Sequence, residues 1–134
     1  MDRSTTNCHL QDPQIAEMVR RAIVYYHHAN LWRVIDFVIM PNHLHLFVTL
    51  PGAPISRAMQ LFKGWTARQA TKLIPQHGEN GFWQREWFDH WSRDGIEDER
   101  IISYIRNNPV KAGLVKHHNE WPYGSWNTDW SRKP

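Results

Sequence analysis

Cysteine is nearly absent: Cys8 is the sole one in 134 residues, so no disulfide can close within the chain. That usage suits a reducing compartment. No repeat or low-complexity tract interrupts the sequence, which reads as one continuous domain over 1–126 followed by a polar tail over 127–134. No apolar run approaches the ~20 residues needed to span a bilayer, and the longest, Ala22–Tyr26, is short. The first residues (Asp2, Arg3, Ser4, Thr5, Thr6) are polar and lack the apolar region of a signal peptide. A cytoplasmic protein that makes no use of a membrane is expected.

What is present narrows the class further. Hydrophobic residues make up 41% and charged residues 22%, the balance of a globular domain. A chain of this size buries about two-thirds of its unfolded surface, enough for a true core. The net charge of +3 and pI near 9.2 permit a polyanionic partner without demanding one. Eight tryptophans and nine histidines stand out against only seven glycines. Tryptophan faces either stack on unpaired bases or fill a small core, and composition leaves both readings open.

Periodicity predicts the elements. Asp12-Pro13 opens a helix, with Asp as cap and Pro at the first position. Ile15, Met18, Val19, Ala22, Ile23 and Tyr26 carry it from about Pro13 to His28. Trp32–Met40 and His43–Leu50 read as strands that form a hairpin around Pro41-Asn42. Ile55, Met59, Phe62, Thr66, Ala70 and Leu73 mark a second helix, ended by Pro75. Gln76–Gly81 is a polar loop, and Phe82–Trp91 offers a further short strand. Asp94 and Glu97 resemble a capping box for a helix over roughly Gly95–Asn107, which should stop near Pro109. The mixture predicts an α+β fold, a sheet with helices packed on it.

Three features carry chemistry. In His43-Leu44-His45, strand alternation sends both imidazoles to one face and Leu44, Leu46 and Val48 to the other. Two adjacent neutral imidazoles are a divalent-metal clamp, although the tripeptide equally suits sheet histidines with no ligand. Tyr104 and Asn108 lie four residues apart, hence on one helical face. A tyrosine hydroxyl attacks well only where a cation polarises its target, and the Asn108 amide could offer that cation a neutral oxygen. Taken alone, the pair also fits a half-buried tyrosine beside an asparagine cap. The third feature is a set of cations: Arg57, Lys63, Arg68 and Lys72 on the second helix, then Arg85, Arg93, Arg106, Lys111 and Lys116. Such a set is either a phosphate-binding surface or a solvated one.

Two longer segments shift the balance between these readings. Met40-Pro41-Asn42-His43-Leu44-His45-Leu46 and Tyr104-Ile105-Arg106-Asn107-Asn108-Pro109-Val110-Lys111-Ala112-Gly113-Leu114-Val115 together resemble the signature of insertion-sequence single-tyrosine transposases of the HUH type. The REP-associated tyrosine transposases, linked to repetitive extragenic palindromes, are the most similar branch. Phe62-Lys63, Thr66-Ala67-Arg68, Phe82-Trp83-Gln84-Arg85, Phe88-Asp89, Arg93-Asp94 and Trp121-Pro122-Tyr123-Gly124-Ser125 agree with it, so the likeness runs from about Pro13 to Ser125.

The resemblance implies an antiparallel sheet flanked by helices, related to the ferredoxin-like arrangement. It also implies Tyr104 as nucleophile, with His43, His45 and Asn108 as ligands of Mg²⁺ or Mn²⁺. The reaction would cut and rejoin single-stranded or hairpin DNA through a 5′-phosphotyrosine link, freeing a 3′-hydroxyl. Lys63, Arg68, Lys72, Arg85, Arg106 and Lys111 would hold the DNA, which would come from repetitive palindromic elements or insertion-sequence ends. The enzyme would act as a monomer or homodimer. Family members begin with a strand ahead of the first helix, for which Met1–Leu10 has no pattern. A sheet lacking its first strand is therefore expected. The alternative is a truncated, catalytically impaired relative that only binds DNA. A histidine-triad hydrolase would need a third alternating histidine where Phe47 stands.

Overall fold

In the computed structural model, residues 9–74, 81–85, 87–92 and 98–131 are described. Helix α1 spans Pro13–His28; the Asp12 carboxylate accepts from the Gln14 N–H at 2.9 Å, with Pro13 next to it. It ends where Asn30 turns left-handed at φ 62°. There the Asn30 and Leu31 N–H groups return to the carbonyls of His27 and Tyr26, the hydrogen-bond pair of a Schellman end. Strands β1 (Arg33–Met40) and β2 (His43–Thr49) form the expected antiparallel hairpin, from Met40↔His43 to Arg33↔Thr49. Helix α2 covers Ile55–Leu73, as its periodicity predicts. The stretch Phe82–Trp91 divides into a short helix α3 (Phe82–Arg85) and strand β3 (Trp87–Ser92).

Strand β3 pairs with β2 in parallel, so the sheet is mixed, in the order β1-β2-β3, rather than wholly antiparallel. Strand β2 is central and buried along its whole length. On one face Phe37, Ile39, Leu44, Leu46 and Val48 meet the apolar sides of α1 and α2, such as Ile15, Val19, Phe62 and Ala70. On the other face Val38, Met40 and Phe47 receive Ile105 of helix α4 (Glu99–Lys111). The described residues thus place α1 and α2 on one face of the sheet and α4 on the other.

Helix α4 departs from expectation at both ends. Its cap is Asp98, whose carboxylate accepts from the Arg100 N–H at 2.9 Å. The anticipated pair Asp94 and Glu97 lies outside the described residues. At the other end Pro109 sits inside the helix instead of stopping it. A proline in the last turn removes only one intrahelical donor. Past it, Gly113 at φ 76° closes the helix, with its N–H and that of Leu114 returning to Val110 and Pro109.

The segment after α4 folds back along β1. The Ile39 N–H donates to the Tyr123 carbonyl at 2.8 Å, Val38 bridges Gly124, and the Trp121 indole donates to the Ile39 carbonyl at 3.0 Å. The tail expected from Asn127 is packed as well: Trp130 joins the α1–α2 core, and its carbonyl lies 2.7 Å from His28 Nε2. The expected absence of a first strand falls on residues 1–8, outside the described ones.

Candidate active site

Strand alternation does what the tripeptide requires. The imidazoles of His43 and His45 lie on the α4 face of β2, their ring centroids 4.6 Å apart and their planes at 87°. Both are buried, His45 completely. The Nδ1 of His43 is 2.7 Å from Asn42 Oδ1. Because that oxygen can only accept, Nδ1 carries the proton and the lone pair lies on Nε2, the tautomer suited to a ligand. Asn42 was legible in the sequence only as a turn residue; its contact with His43 follows from the tight hairpin.

Tyr104 meets the histidines from above. Its ring lies 5.4 Å from that of His45 and 5.9 Å from that of Trp91 on β3, while the residue remains 45% exposed. A phenol with one side packed and the other open to solvent can reach an incoming strand. Asn108 follows one turn later, its Nδ2 donating to the Tyr104 carbonyl at 3.0 Å. Among the described residues no three His, Cys, Asp or Glu side chains cluster as metal ligands. The Asn108 side-chain oxygen is not engaged by its bond to Tyr104, which uses Nδ2. Two imidazoles are a donor set that suits Mn²⁺ as well as or better than Mg²⁺.

The cations are not brought together. Lys111 and Arg106 share α4 with Tyr104, but Arg106 is bound to Asp36, its Nε 3.2 Å from Oδ2. Lys63, Arg68 and Lys72 lie on α2, across the sheet from the histidines. The Arg85 side chain lies outside the described ones. Nor do tryptophans form an exposed stacking surface: every one whose side chain is described packs against one of the two cores.

Sequence reasoning passed over Asp36. It is fully buried, and its carboxylate accepts from the Phe37 N–H at 3.1 Å, from the Ser125 hydroxyl and from Arg106. Burial pushes this carboxyl above the ordinary aspartate range, against the pull of Ser125 and Arg106.

An α+β fold that sets two imidazoles and a half-exposed helix tyrosine on one face of its sheet is the class of protein at hand. Residues 6–108 match the family model described as "Transposase IS200 like", and the chain belongs to that family. It is 29% identical over 119 residues to the REP-associated tyrosine transposase of Escherichia coli, an alignment covering 87% of this chain and 67% of the relative. A Haemophilus influenzae protein provisionally given the same name is 29% identical over 109 residues, covering 73% of this chain and 61% of that protein. An uncharacterised Haemophilus influenzae protein is also similar, at 29% over 98 residues, 58% of this chain and 54% of its own length. No solved structure gives a significant match. No helix among the described residues is long and apolar enough to cross a membrane.

Proposed function

We propose that this chain is a transposase that cuts and rejoins single-stranded or hairpin DNA with Tyr104 as nucleophile. The observation that supports this most is the packing of Tyr104 on His45, beside His43. The Tyr104 oxygen would form a bond to the scissile phosphorus as the bond to the 3′-oxygen breaks. The phenol gives up its proton to solvent, and the departing oxygen gains one to become a 3′-hydroxyl. The product is a 5′-phosphotyrosine, which a second 3′-hydroxyl reverses on rejoining. His43 and His45, with an oxygen from Asn108, would hold Mn²⁺ or Mg²⁺. Such a cation, when bound, supplies Lewis-acid polarisation of the phosphate. Repetitive palindromic elements are the natural candidate substrate, given the names of two relatives.

Tyr104→Phe keeps the ring and its contacts and removes only the oxygen. A strand labelled at its 3′ end, incubated with Mn²⁺, should leave a denaturant-resistant protein–DNA adduct with the parent chain and none with the variant. Persistence of the adduct in Tyr104→Phe would assign the nucleophile elsewhere. Tight DNA binding by the parent without any adduct would leave the binding-only alternative.

A further inference from the structure

The geometry points to Asp36, Arg106 and Ser125 as a positioning device that fixes the rotation of α4 about its axis and so holds Tyr104 against His45. The argument begins in β1. Its pairing with β2 slips between Val34, opposite Val48, and Asp36, opposite Phe47, so Ile35 is an extra residue. Such a bulge reverses which face the following residues occupy. Val34 packs with the α1–α2 core, whereas Asp36, Val38 and Met40 turn toward α4. Without the bulge, Asp36 would point to the same side as Val34.

Successive residues on a helix point about 100° apart. Ile105, fully buried, points down at the sheet. Its neighbours therefore leave the helix on opposite flanks. Arg106 reaches outward to β1 and Asp36 at 3.2 Å, while Tyr104 reaches over β2 to His45 and toward Trp91 of β3. Ile101 and Ile102 pack beside Ile105, and Pro109 is buried, but apolar contacts are non-directional and leave small rotations of the helix open. A directional ion pair on one flank prevents them, and roll is the motion that would carry Tyr104 away from His45. The Arg106 side chain is further confined by Trp126, whose ring lies 5.8 Å from the guanidinium carbon. Ser125 completes the device by donating to the same carboxylate from the closing segment.

The activity arm of the test rests on the transposase reading, and the spectroscopic arm does not. The chain has four tyrosines, so 3-fluorotyrosine labelling gives a fluorine spectrum in which Tyr104→Phe assigns the Tyr104 line. The double variant Asp36→Asn with Arg106→Met removes both charges together and leaves no buried unpaired carboxylate. Its Tyr104 line should move and broaden, while those of Tyr25 and Tyr26, on α1 across the sheet, stay in place. Adduct formation at saturating DNA, where any weaker binding is overcome, should slow about tenfold or more, as misplacing a reacting group does. Should the double variant lose its cooperative melt, Ser125→Ala, which trims one hydroxyl, should displace the Tyr104 line in the same direction by less. A parent that makes no adduct would sink the transposase reading and leave the fluorine measurement valid. A Tyr104 line that coincides with the parent's in the folded variant overturns the positioning role.

Discussion

The ring of His45 stands 5.4 Å from that of Tyr104, with the two planes at 83°. One imidazole thus contacts both the other histidine and the phenol, and a cation held by the pair would sit close to the hydroxyl's target. The cation should then be visible in stability. A ligand that binds only the folded chain adds about 2.7 kcal/mol at a hundred times its Kd. For a domain of this size that raises Tm by on the order of 10 °C. Calorimetry should show this rise with Mn²⁺, a smaller one with Mg²⁺, and none for His43→Ala or His45→Ala relative to its own metal-free melt. An undiminished Mn²⁺ shift in either variant would remove the histidine pair from the cation site.

Removing the partner of Asp36 should be costly in a pH-dependent way. Arg106→Ala leaves a fully buried carboxylate without its cation, a loss of about 3 kcal/mol at neutral pH. Burial already holds the folded pKa above the ordinary 3.8, and loss of the guanidinium raises it further. A carboxyl whose folded pKa exceeds its unfolded one costs stability while ionised. That cost fades as pH falls toward and through the folded value. Urea melts should therefore show the gap between parent and variant narrowing between about pH 7 and pH 4. A gap that widens on acidification would contradict the assignment.

Local patterns were legible where local forces decide the outcome. The limits of α1 and α2, the hairpin and the shared face of His43 and His45 all follow from periodicity, capping and strand alternation. What escaped was set by distant partners. Asp36 faces Arg106 because of a bulge at Ile35 that no residue type announces. Strand β3 pairs in parallel across a long excursion through α2, a non-local choice. Pro109 was expected to end α4, yet burial of its ring and the Gly113 closure outweigh one lost donor. Periodicity also tells which side of α2 is basic but not which side of the sheet α2 covers.

Gly124 is required by contact rather than by conformation. Its φ of −124° suits any residue, but a Cβ there would lie 2.3 Å from the Trp126 ring. Gly124→Ala should cost about 2 kcal/mol, in the range for overpacking, and disturb the near-ultraviolet circular dichroism of Trp126. In a Trp126→Leu background the same substitution should cost much less, since contacting residues are not additive. Equal costs in both backgrounds would show that the ring is not the obstacle.

The position of α2 makes DNA length the informative variable. Arg68 and Lys72 are exposed on α2, on the side of the sheet away from Tyr104. A strand of about six nucleotides, near the lower end of the roughly 4–16 that single-strand-binding folds take, is short enough to test the Tyr104 side alone. A longer hairpin that wraps the sheet edge would also place phosphates on α2. Each neutralised phosphate contributes roughly −0.7 to the slope of log K against log salt for single strands. Arg68→Gln with Lys72→Gln should then flatten the slope for the long substrate by about 1.4 if those phosphates are single-stranded and about 1.8 if they are duplex, and weaken its binding at low salt. The short strand should bind and form adduct as with the parent. If the long substrate gives the same slope with both proteins, the α2 cations are a solvated surface, and the DNA stays on the α4 side of the sheet.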